Sequence, residues 1–106
     1  MLRRHLWIVA VSALTTGVVP VRAETVTVTI EKMMFSPAEI SVRPGDTIEW
    51  INKDILAHTA TVKGDWEVVI PPGKSGRVVL KATTSVDYYC RFHPNMKGRI
   101  SMLAQQ

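Results

Sequence analysis

The chain is poor in the residues from which covalent frameworks and multi-ligand catalytic centres are built. It has one cysteine, which excludes an internal disulfide and any zinc site made of four thiolates. Three histidines and nine acidic residues leave little material for an elaborate active site. No run of lysine and arginine appears after residue 23, so the electrostatic footprint of a nucleic-acid binder is missing and no nucleic-acid partner is expected. No segment after residue 23 repeats at about 3.6 residues, and amphipathic helices are therefore not expected. What remains, 46% hydrophobic and 21% charged residues, is an ordinary globular composition, which excludes collagen-like and disordered chains. With 106 residues, the chain suits one core and one domain.

The longest apolar run, Leu6 to Val19, is broken by Ser12, Thr15, Thr16 and Gly17 and falls short of the roughly 20 residues of a membrane span. Arg3, Arg4 and His5 precede it, and Val21-Arg22-Ala23 follows, with small or apolar residues at the first and third positions. This is the pattern of a secretory signal peptide over 1–23, cleaved after Ala23, with an uncleaved membrane tether as the rival. The expected folded domain is 24–106, exported to the periplasm, with no membrane span left after cleavage. Arg3, Arg4 and Arg22 leave with the signal, so most of the formal charge of +4 goes with them. His5 leaves too, and the domain keeps two histidines beside its one cysteine. An oxidising compartment makes an unpaired thiol unusual. Either Cys90 is an inert core residue or something occupies its sulfur.

Apolar residues alternate with polar ones at Val26, Val28 and Ile30, at Ile40 and Val42, and at Ile48 and Trp50. The same period of two recurs at Val78 and Leu80, at Val86, Tyr88 and Cys90, and at Ile100 and Met102. Turn signals separate these runs: Ser36-Pro37, Pro44-Gly45-Asp46, Lys63-Gly64-Asp65 and Pro71-Pro72-Gly73. Short half-buried strands with regularly spaced turns predict an all-β sandwich or barrel.

Cys90, His93 and Met96 stand at a spacing of three and three, on a loop that leaves one strand and feeds the next. One tight loop can aim a thiolate, an imidazole and a thioether at one point. Thiolate and thioether are soft donors and imidazole is borderline, the combination that selects copper. A second imidazole would complete a trigonal plane, and the only other histidine of the domain is His58. Taken singly, a buried Cys, a Met near Pro94 and a lone His are ordinary packing residues. Together they fit one known ligand set. Zinc, for which an axial Met is an odd choice, and a Cys-His nucleophile are the other chemistries open to this group.

On these residues the chain resembles the blue-copper cupredoxin family, and within it the amicyanin and plastocyanin group. The likeness extends to Lys32 and Met33 before Phe35, to Pro44-Gly45-Asp46-Thr47, to Trp50-Ile51-Asn52 ahead of His58, and to Asp87-Tyr88-Tyr89-Cys90. The short Cys-x-x-His-x-x-Met loop is similar to that of amicyanins. The resemblance implies an antiparallel Greek-key β-sandwich with one type 1 copper at one end, held by His58, Cys90 and His93 in the plane and by Met96 axially. It also implies a monomeric carrier that passes single electrons between partners such as a c-type cytochrome or a periplasmic dehydrogenase, and that is not an enzyme. His93 would then be the ligand nearest the surface, with Phe92, Pro94, Met33 or Met34, and Leu56 as an apolar docking patch. Many relatives carry Pro and Asn on either side of the first ligand His, where this chain has Ala57 and Thr59. Thr59 can supply one hydroxyl hydrogen bond in place of the Asn, which implies altered surroundings for the ligands. A periplasmic copper carrier or scavenger using the same ligands is the alternative; the compact loop favours the closed electron-transfer site.

Overall fold

A computed structural model describes residues 22–104. The expected signal peptide lies outside the described residues up to residue 21.

Among the described residues there are nine strands and no helix. They are β1 (Thr25–Glu31), β2 (Met34–Ser36), β3 (Glu39–Val42), β4 (Thr47–Asn52), β5 (His58–Val62), β6 (Trp66–Ile70), β7 (Ser75–Val79), β8 (Val86–Tyr89) and β9 (Lys97–Met102). One sheet has the order β2-β1-β4-β7 and the other β3-β9-β8-β5-β6. Their inner faces pack as a sandwich, as expected.

The alternation read from the sequence is the alternation of burial. Val28 and Ile30 of β1 point inward between outward threonines, and Ile48, Trp50 and Asn52 do the same on β4, where Val28 pairs with Trp50 and Ile30 with Asn52. Two pairings, β1 with β4 and β3 with β9, run parallel, so both sheets are mixed, whereas the expected sandwich is antiparallel. The remaining pairs are antiparallel. Burial of alternate residues reports which face is inside and carries no information about the direction of the neighbouring strand, which here is set by crossings from one sheet to the other.

Trp50, Tyr88 and Phe35 form the centre of the core. The Trp50 and Tyr88 rings meet edge to face at 5.5 Å, Phe35 lies 4.7 Å from Tyr88, and the indole Nε1 donates to the Tyr88 hydroxyl at 3.2 Å. Opposite Tyr88 on β9 stands Gly98, where any Cβ would run into the tyrosine ring. A glycine is required there by the size of its neighbour.

Strands β5 and β6 are absent from the periodicity reading, which places His58 simply after β4. In β5 the four residues His58 to Thr61 are all buried, because the sheet's inner face takes up one side and the Glu67 side chain and the Arg91 backbone amide bond to the threonines on the other. A strand buried on both faces shows no period of two.

Candidate metal centre

The site is built where β4 and β5 end and begin, against the loop between β8 and β9. Asn52, the last residue of β4, is buried with every polar group used. Its Nδ2 donates to the carbonyls of Leu56 at 2.8 Å and Ile70 at 3.0 Å, and its Oδ1 accepts from the Asp54 amide at 2.9 Å. The turn from β4 into β5 is thereby pinned, and the carboxylate of Asp54 is aimed back at His58. Asp54 Oδ2 lies 2.8 Å from His58 Nε2, while the same carboxylate accepts the amides of Lys32 at 2.8 Å and Met33 at 3.0 Å. Lys32 and Met33 adopt φ values of 53° and 60°, a left-handed bend that non-glycine residues disfavour and that these two bonds help to hold. Burial works against ionisation of Asp54, but the bonds from Met33, His58 and Lys32 outweigh it and keep the carboxyl below its ordinary range.

With Nε2–H committed to Asp54, the His58 ring presents Nδ1 to the interior, 3.7 Å from Cys90 Sγ. His93 Nδ1 lies 3.9 Å from the same sulfur, and the donor atoms of His58, Cys90 and His93 all fall within 4.8 Å of one another. The two imidazoles are tilted by 59° at 5.1 Å, as rings converging on one point are. Metal–nitrogen bonds of about 2.0 Å and a metal–sulfur bond of about 2.3 Å in a trigonal plane put nitrogen and sulfur about 3.7 Å apart. The spacing of these donors therefore fits one ion among them. His58 and Cys90 are 0% exposed; His93 is half-buried at the edge.

Three backbone bonds fold the ligand loop on itself: Cys90 N to Met96 O at 3.0 Å, His93 N to Cys90 O at 3.2 Å and Met96 N to His93 O at 2.9 Å. They return Met96, itself buried, to the side of Cys90. Met96 and His93 share an open cleft of about 370 Å³ with Met33, Phe92, Pro94 and Asn95. All four candidate residues thus meet at one end of the sandwich. Of the expected patch, Phe92, Pro94 and Met33 line this cleft, Leu56 is exposed, and Met34 is exposed outside the lining. Ile55, 91% exposed beside Leu56, is an apolar surface residue that the sequence reading passes over.

Thr59 does join the two ligand-bearing segments, its hydroxyl as an acceptor and its amide as a donor. Its hydroxyl accepts the Arg91 amide at 2.7 Å, and its own amide donates to Cys90 Sγ at 3.3 Å. Asp54, Thr61 and Glu67 are the functional neighbours the sequence does not reveal. Only Asp54 carries a signal, an acid four residues before the first candidate His.

Residues 5–101 match the profile of the cupredoxin-like domain, and the chain belongs to the cupredoxin family. Among curated relatives, amicyanin of Paracoccus versutus is 32% identical over 89 residues, covering 76% of this chain and 66% of that protein. Amicyanin of Paracoccus denitrificans is 32% identical over 82 residues, covering 71% and 63%. The chain spans a little under two thirds of the length of these relatives. Among solved structures, the reduced state of one amicyanin mutant is 27% identical with a TM-score of 0.65, covering 74% of this chain and 82% of that one. The oxidised state of another is 26% identical with a TM-score of 0.66 and the same coverage. Family and donor chemistry agree on the cofactor, one type 1 copper.

Proposed function

We propose that the protein is an exported carrier of single electrons, with His58, Cys90, His93 and Met96 as the residues that would hold its copper. The observation that carries this reading is the convergence of Cys90 Sγ with His58 Nδ1 at 3.7 Å and His93 Nδ1 at 3.9 Å, already arranged by hydrogen bonds outside the ligand set. Copper held by this set supplies one-electron chemistry between Cu(I) and Cu(II). The chain's part is to keep the donors fixed between the two states. Asp54 fixes the His58 ring, the Thr59 amide fixes Cys90 Sγ, and the three bonds of the ligand loop fix His93 and Met96. Burial of His58 and Cys90 keeps water from the sulfur.

His93, at the edge of the buried pair, is the route by which the electron enters and leaves. Around it Met33, Phe92, Pro94 and Leu56, with Ile55 beyond, offer an apolar surface suited to small, transient redox interfaces. A c-type cytochrome or a periplasmic dehydrogenase is the kind of partner that fits. The protein turns over no substrate and acts as a monomer, released into the periplasm as residues 24–106 by cleavage after Ala23.

Electron self-exchange and stopped-flow reaction of the copper-loaded protein with a small c-type cytochrome test this. Rapid exchange with copper retained through many cycles is expected. Slow exchange with ready loss of copper to a chelator would describe a copper carrier instead.

A further inference from the structure

The Arg91 amide donates to Thr59 Oγ1 at 2.7 Å, Thr59 Oγ1 and Thr61 Oγ1 are 2.9 Å apart, and Thr61 Oγ1 donates to Glu67 Oε1 at 2.9 Å. Glu67 then accepts the Arg91 guanidinium at both oxygens, Nε to Oε1 at 2.6 Å and Nη2 to Oε2 at 3.3 Å. The circuit begins at the backbone of Arg91 and ends on its side chain. An ionised carboxylate only accepts, so Thr61 must give its proton to Glu67 and Thr59 must give its own to Thr61. Each hydroxyl donates once and accepts once, and the direction of every bond is set by the carboxylate at the end.

We propose that Glu67 is a positioning residue for the metal centre, acting through Thr61 and Thr59 to hold the backbone of Arg91, and with it Cys90, against the start of β5. The reading rests on the copper site proposed above.

Two features separate this pair from an ordinary surface ion pair, which contributes roughly 0–1 kcal/mol. The two threonines that carry the circuit inward are buried and the bond between them is fully enclosed, and a chain of hydrogen bonds that runs into a low dielectric is stronger than its exposed parts alone. The circuit also closes on Thr59, whose amide is the donor to Cys90 Sγ and whose neighbour is His58. A slack circuit loosens the sulfur from its N–H donor. Hydrogen bonds to a thiolate weaken its donation and so favour the reduced metal; loss of this restraint lowers the midpoint potential. The Arg77–Glu49 pair on the other sheet is equally superficial and touches no ligand-bearing residue, which makes it the control.

The test compares Glu67→Ala, Glu67→Gln, Thr61→Val and Arg77→Ala with the unaltered protein in two measurements. In copper-free protein, hydrogen exchange of the Arg91 amide is expected to speed up at least about tenfold in Glu67→Ala and in Thr61→Val, which breaks the same circuit without changing charge. In copper-loaded protein the midpoint potential is expected to fall and the copper EPR spectrum to change in those two variants. Glu67→Gln, which keeps acceptor oxygen for Thr61 and Arg91, is expected to recover most of both effects, and Arg77→Ala to move neither. Unchanged Arg91 exchange and an unchanged potential in Glu67→Ala and Thr61→Val would overturn the proposal while leaving the copper site standing. Absence of a type 1 spectrum from the unaltered protein would instead overturn the copper reading.

Discussion

Asp54 Oδ2 and His58 Nε2 are 2.8 Å apart, and that bond decides which nitrogen of the buried ring is free to bind a metal. The same carboxylate receives the amides of Lys32 and Met33, so one side chain ties together the β1–β2 turn, the β4–β5 turn and the first residue of β5. Removing it frees a ring and a strained bend at once.

Asp54→Ala is therefore expected to weaken copper binding by about 10- to 100-fold, the usual effect of losing the partner that orients a ligand His. Asp54→Asn, which can accept at one oxygen only, should fall between. Competition against a chelator of known affinity measures both. Equal affinity in all three proteins would show that His58 is held by packing alone.

Binding should also stabilise the fold. The donors come from two segments far apart in sequence, the start of β5 and the loop between β8 and β9, and an ion binding all of them binds only the native state. At free copper 100-fold above the dissociation constant the gain is about 2.7 kcal/mol. For a domain of this size that is a rise in melting temperature on the order of 10 °C. Calorimetry with and without copper, followed by removal of the ion with a chelator, should show the rise and its reversal.

Tyr88 sets an alkaline limit. Burial pushes its phenol up to about 12 from 10.0, with the hydrogen bond from Trp50 opposing the shift in part. The folded state thus holds the phenolic proton more tightly than the unfolded one. Stability from this group is complete below pH 10 and is lost as pH rises toward 12, by roughly 2–3 kcal/mol in all. Urea unfolding at pH 9, 10 and 11 should show the decline, and Tyr88→Phe should lower stability at pH 9 yet flatten the slope above 10. An equally steep slope in Tyr88→Phe would assign the loss to other groups.

The sequence made the strands with one wet face legible, because Val28 and Ile30, Ile40 and Val42, or Ile48 and Trp50 alternate with residues that meet water. It did not show β5, whose residues are buried on both sides, nor the parallel direction of β1 against β4, which depends on crossings between sheets. His58, Cys90, His93 and Met96 stood out because their residue types are so scarce in the chain and three of them share one short loop. Glu67 could not stand out. It is an exposed acid on a strand, and its place in the site depends on β5 and β6 pairing in the register that sets Thr61 opposite it. Asp54 lay closer to view, but beside Lys53 it reads as an ordinary turn residue until Asn52 and the Lys32–Met33 bend are seen around it.

The most direct test is the visible absorption of the protein with one equivalent of Cu(II), beside that of Cys90→Ser. Cys90 Sγ lies within 4 Å of both histidine donors, so copper held by these residues would take the thiolate as a ligand and would show an intense thiolate-to-copper charge-transfer band. The account predicts a strongly coloured wild-type protein and complete loss of that band in Cys90→Ser. A colourless wild-type complex, or a band of full intensity in Cys90→Ser, would contradict it.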